Sequence, residues 1–140
     1  MPTLAHPPVA ILRFDHGRVS VLFGEKNGKY PDGNQVLVRG SDTRTAFDTP
    51  RVANHIGPEL DECELVLMGH VHEDHMAGLH RLPHATVYAH EADVPALHSW
   101  DGLARSFGIT DPQRKAETLA RYQRDFSYAP RPDALPYVDG

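Results

Sequence analysis

Six consecutive residues, His70-Val71-His72-Glu73-Asp74-His75, place three imidazoles and the Asp74 carboxylate side by side. Imidazole nitrogen with carboxylate oxygen is a ligand set that zinc favours and iron and manganese tolerate, whereas calcium and magnesium prefer all-oxygen shells. The chain has 10 His among its 140 residues, so accidental clustering has to be weighed. His-x-His-x-Asp-His arises by chance in roughly one such chain in a few hundred. Placement sharpens the signal. The motif directly follows the apolar run Leu65-Val66-Leu67-Met68, which reads as a buried strand, and polar groups at the mouth of such a strand need a partner that a cation can supply. If the backbone stays extended past Gly69, His70 and His72 project to the same side. Asp74 and His75 fall where a helix is expected over residues 74 to 79, so they leave in another direction, which suits a second, neighbouring cation.

Hairpins and short helices are expected to position these groups. Strand-like runs at Val9–Phe14 and Arg18–Phe23 flank the turn Asp15-His16-Gly17. Residues 24 to 33, with three glycines and a proline, read as a loop. A second hairpin is expected at Gln35–Arg39 and Arg44–Phe47. Thr49-Pro50 then opens a helix with Val52, Ala53 and Ile56 on one face, stopped by Gly57-Pro58. Asp48 ends the hairpin, where local capping or turn bonding is one reading of its carboxylate. After the motif the pattern predicts a strand at Thr86–Ala89 and helices at Ala92–Ser99, Asp101–Phe107 and Asp111–Arg124, the last capped by Asp111 with Pro112 in its first turn. Trp100, Leu103, Phe107, Leu119, Tyr122 and Phe126 read as packing residues. His6, His16 and His55 read as surface residues, and residues 129 to 140 as an open end.

The segment at 70 to 75 resembles the signature of the metallo-β-lactamase-fold hydrolases. Asn34–Gly40 followed by Thr45–Thr49 is similar to that family's early hairpin, and Thr86–Ala92 to the strand and helix start after its motif. The resemblance spans about residues 9 to 100. It implies an α+β fold, the N-terminal half of an αββα sandwich, with a mixed, mostly antiparallel sheet and helices on its outer face, so that residues 1 to 140 form one truncated domain. It implies that His70 and His72 bind one metal, that Asp74 and His75 bind a second, and that Asp48 is a carboxylate orienting a ligand or solvent. Zinc, one or two ions, is the implied cofactor, and a metal-bound hydroxide attacking a carbonyl or phosphoryl centre the implied chemistry, with Asp74 holding or deprotonating that water. Small-molecule substrates from β-lactams and lactones to thioesters and phosphodiesters are implied. The diiron flavoprotein branch of the family has Glu where this chain has His72. The family's later ligands have no recognisable counterpart, since no His-x-Pro-Gly-His-Thr occurs. His80, His84, His90 and His98 are the residues available to replace them. A half of this kind is expected to pair with a complementary half-domain or with a second copy, and one alternative is a metal-binding half inactive alone.

Composition limits the classes. A net charge of -5 and a pI near 6.0 argue against nucleic-acid or anionic-membrane partners, which need a basic surface. The single Cys63 cannot form an internal disulfide and fits a reducing cytoplasm. No signal-peptide pattern or membrane-length apolar run is seen, so a cytoplasmic chain is expected. His72-Glu73-Asp74-His75 is one residue short of His-Glu-x-x-His, and no phosphate loop, nucleophile elbow or dinucleotide fingerprint competes.

Overall fold

The computed structural model describes residues 10–138. The arm expected over residues 1 to 8, with His6, lies outside the described residues, as do Val9 and the last two positions. The elements are β1 (Arg13–His16), β2 (Val19–Leu22), β3 (Gln35–Arg39), β4 (Arg44–Phe47), α1 (Pro58–Asp61), β5 (Leu65–Leu67), β6 (Thr86–His90), α2 (Val94–His98), α3 (Trp100–Ser106), α4 (Pro112–Phe126) and β7 (Leu135–Tyr137). They build one mixed sheet in the order β1-β2-β3-β4-β5-β6-β7. Pairs up to β4 are antiparallel, and pairs from β4 to β7 are parallel.

Strand alternation decides the two faces. Leu37, Ala46, Val66 and Val87 lie in one register row, and all are buried in the core with Ile56, Leu60, Leu97, Leu103, Tyr122 and Phe126 from the helical side. The helices therefore cover this face. On the other face a second row, Phe14-Val21-Val36-Phe47-Leu67-Tyr88-Leu135, crosses all seven strands. It is apolar yet open, with Phe14 58%, Phe47 41% and Leu135 44% exposed. The crossover from β4 to β5 runs through a 3₁₀ turn at Arg51–His55 and through α1. The carboxyl ends of β4, β5 and β6 consequently share one rim, the usual location for ligand chemistry in sheets with parallel strands. Asp48, the motif and His90 emerge there.

Several expectations need correction. The first turn is Gly17-Arg18, with Gly17 at φ +58°, and His16 sits at the end of β1. The expected helix after Thr49 is the 3₁₀ turn, in which Val52, Ala53 and Ile56 are buried as foreseen; Thr49 caps nothing there, because its hydroxyl donates to the His75 carbonyl (3.2 Å). No helix forms over residues 74 to 79. The Thr49 N–H takes the His75 carbonyl (2.9 Å) and the Gly78 N–H takes the Thr49 carbonyl (2.8 Å), so the chain makes two 3₁₀ turns, Glu73–His75 and Leu79–Arg81. Gly78 permits this approach, since a Cβ there would collide with Ala53. Finally, the carboxyl end is not open. Leu135–Tyr137 pairs parallel with β6, and Tyr137 Oη donates to the Met68 carbonyl (3.3 Å).

Helix α4 follows the sequence closely: Asp111 accepts from the Arg114 N–H (2.8 Å), and Thr118, Tyr122 and Phe126 form its buried stripe. Among the described residues, no helix is long and apolar enough to cross a membrane.

Candidate metal centre

Strand β5 ends at Leu67, and the Met68 N–H still donates to the Tyr88 carbonyl (2.8 Å). Beyond Gly69 the buried Val71 side chain plugs the core, which turns its neighbours His70 and His72 away from it. Their nitrogens meet: His70 Nε2 lies 2.6 Å from His72 Nδ1. Two imidazole lone pairs cannot face each other at that distance without a proton or a cation between them. Burial, then the neighbouring His70, lowers the His72 pKa, which favours the neutral form that a metal requires. Phe107 stacks on the His72 ring at 4.5 Å. The two nitrogens would have to separate by somewhat less than about 1 Å to admit a zinc ion between them.

Asp48 anchors the second pair. It adopts the left-handed region, φ 55°, a conformation that costs a non-glycine residue about 1 kcal/mol or more. Surrounding bonds impose it. The Asp48 N–H donates to the Leu67 carbonyl (3.0 Å), while its own carbonyl accepts from Gln35 Nε2 (2.9 Å). The carboxylate is thereby aimed at the motif, where Oδ1 accepts from the Gly69 N–H (2.8 Å) and Oδ2 lies 3.0 Å from His75 Nδ1. This hydrogen bond raises the His75 pKa against the opposing effect of burial. It also fixes the tautomer: Nδ1 carries the proton toward Asp48 and Nε2 keeps a lone pair. That Nε2 lies 3.6 Å from Asp74 Oδ2.

The structure thus brings His70, His72, Asp74, His75 and Asp48 together, with His70 and His75 ring centroids 4.9 Å apart. The four histidines that follow the motif are engaged elsewhere. His80 bonds Asn54 Oδ1 (2.6 Å), His84 lies 3.1 Å from the Asp61 carbonyl and His98 2.7 Å from the Ala134 carbonyl, while His90 Nδ1 accepts from the Ala92 N–H (3.1 Å). Burial pushes the Cys63 thiol up to about 11, as befits an inert core residue. Among the described residues, no group of three or more His, Cys, Asp or Glu is arranged to hold a metal ion. The donor set fits zinc in type and comes as two pairs, short of the three ligands usual for each catalytic ion.

Two contributors escape the pattern of candidate ligands, Gln35 outside the motif and Glu73 at one of its unspecified positions. Gln35, fully buried, also donates toward the Phe47 carbonyl (3.3 Å) and so holds the backbone that presents Asp48; its signal is a polar residue sharing a strand face with Leu37. Glu73 is buried, and its Oε1 accepts from Tyr30 Oη (2.9 Å); burial, and then this bond, push the phenol up to about 12. A cavity of about 220 Å³ opens beside the rim, lined by Gly28, Tyr30 and Asp32 together with Asp48, Asp74 and His75.

No family model and no curated protein sequence matches the chain. Solved structures do. The metallo-β-lactamase GOB-18 from Elizabethkingia meningoseptica matches with a TM-score of 0.52 at 13% identity, over 90% of this chain and 43% of that one. The metallo-β-lactamase SMB-1 bound to 2-mercaptoethanesulfonate matches with a TM-score of 0.51 at 17% identity, over 89% and 45%. This chain has the metallo-β-lactamase fold and spans less than half the length of these two structures.

Proposed function

We propose, with the metallo-β-lactamase fold as premise, that the rim holds one or two zinc ions and that the chain forms the N-terminal part of a metal-dependent hydrolase. Esters, lactones, thioesters, amides and phosphoesters are the substrate class. The observation that carries this reading is the pairing of donors at one rim: His70 Nε2 with His72 Nδ1, and Asp74 with a His75 whose other nitrogen is held by Asp48. When bound, zinc supplies the acidity that activates water and polarises the scissile group. His70 and His72 would hold one ion, Asp74 and His75 the other. Asp48 would hold the His75 Nδ1 proton and orient the ring, so that the neutral imidazole offers its Nε2 lone pair. Asp74 has a second task, to accept a proton from the attacking water.

The donor count and the open apolar face favour a second reading, a metal-binding half inactive until a second sheet covers it. One experiment addresses both. The zinc-loaded chain is assayed on an ester and a lactone, with light scattering to follow its mass. Asp74→Asn keeps the shape and loses the charge, so it should cut turnover by about a hundredfold or more while leaving the unfolding midpoint nearly unchanged. Turnover equal to that of the native chain removes Asp74 from the mechanism, and a zinc-loaded chain with no turnover in any oligomeric state supports the second reading.

A further inference from the structure

Resting on the reading that this rim acts on a substrate, we infer that Glu73 is a positioning residue which, through Tyr30, fixes the loop over residues 24 to 33 as the wall of the substrate cavity. Glu73 lies among the candidate ligands, yet it is turned inward, with 5% of its surface exposed. One oxygen accepts the Tyr30 hydroxyl, and the other is buried without a partner. A buried carboxylate is costly unless bonded, so its one donor matters. Tyr30 comes from the loop; the residue is 63% exposed, and its ring centroid lies 6.1 Å from that of Phe126. Only its hydroxyl end reaches under the motif turn.

Elsewhere the loop has one side-chain bond near its middle, from Asn34 Nδ2 to the Asn27 carbonyl (3.4 Å), and two contacts at its ends. The Gly24 N–H donates to Asn34 Oδ1 (2.9 Å), and Asp32 lies 3.7 Å from Arg51. Between them Lys26 and Asn27 adopt left-handed conformations, φ 57° and 56°. Such conformations persist only where surrounding bonds impose them. The Tyr30–Glu73 bond ties this stretch to the turn that carries Asp74 and His75. Gly28, Tyr30 and Asp32 line the same cavity as Asp48, Asp74 and His75, so this tie bears on the space left beside those carboxylates.

Lys26 and Lys29 are exposed and report the loop directly. Trypsin cleavage after these residues is compared with cleavage after Lys115 within α4, in the native chain and in Tyr30→Phe, Glu73→Gln and Glu73→Leu. Tyr30→Phe keeps the exposed ring and loses only the donor, so it should speed loop cleavage about tenfold and leave the Lys115 site unchanged. Glu73→Gln retains an accepting oxygen and should stay near the native rate; Glu73→Leu should match Tyr30→Phe, with no further gain when the two are combined. If Glu73→Leu fails to fold, Tyr30→Phe alone decides. Native-like loop cleavage in Tyr30→Phe overturns the inference, as does equal acceleration at Lys115. Zinc uptake by the native chain, measured alongside, separates the two claims: a guarded loop on a chain that takes up no zinc overturns the proposed function alone.

Discussion

Asp48 joins three strands of the account in one residue. Its N–H ties β4 to β5, its carbonyl is held by Gln35, and its carboxylate bridges Gly69 and His75. Asp48→Asn should therefore weaken zinc binding about 10–100-fold, the usual cost of removing a carboxylate behind a metal-binding imidazole. Without metal the same pair makes a pH prediction. Asp48 raises the folded-state pKa of His75, so its stabilisation is present below the unfolded value near 6.5 and is lost as pH rises through the raised folded value. Urea unfolding of native and Asn chains should show a stability gap that widens as pH falls toward about 6. A gap independent of pH would assign Asp48 a purely backbone role. The motif residues were legible because alternation and adjacency are written in the spacing of His70, His72 and His75. Gln35 and Glu73 were not, since their importance lies in bonds to residues distant in sequence.

Among the elements, the second hairpin and α4 were read closely because alternation, the Asp111 cap and the apolar stripe are all local signals. The carboxyl end was misread for the opposite reason. Its strand depends on Arg131, a buried guanidinium that donates to the carbonyls of Leu82 (2.8 Å), Pro83 (3.2 Å) and Ala85 (2.7 Å). Its Nε meets Asp133 at 2.8 Å. Nothing in a proline-rich tail announces such a plug. Arg131→Ala strands those buried carbonyls and should destabilise the chain by about 3 kcal/mol or more. Arg131→Lys should recover only part of this, because an ammonium cannot span the same fork of acceptors. Urea midpoints measure both, and a native-like Ala variant would mean that β7 is anchored by other contacts.

At the scale of the whole molecule, the sheet is finished on one face and open on the other. Helices bury the row through Leu37, Ala46, Val66 and Val87, while the row from Phe14 to Leu135 faces outward. Loop tightness, strand order and the shared rim follow from packing that no single stretch encodes, which is why the rim could be foreseen as residues but not as distances. The two donor pairs lie on that rim, and under the proposed function they, rather than histidine content in general, bind zinc. Zinc titration calorimetry at neutral pH on native, His70→Ala and His55→Ala chains tests it most directly. His70→Ala should lose most zinc uptake while His55→Ala, altered at an exposed histidine outside the pairs, binds as the native chain does; equal losses in the two variants would mean that histidine content alone binds the ion.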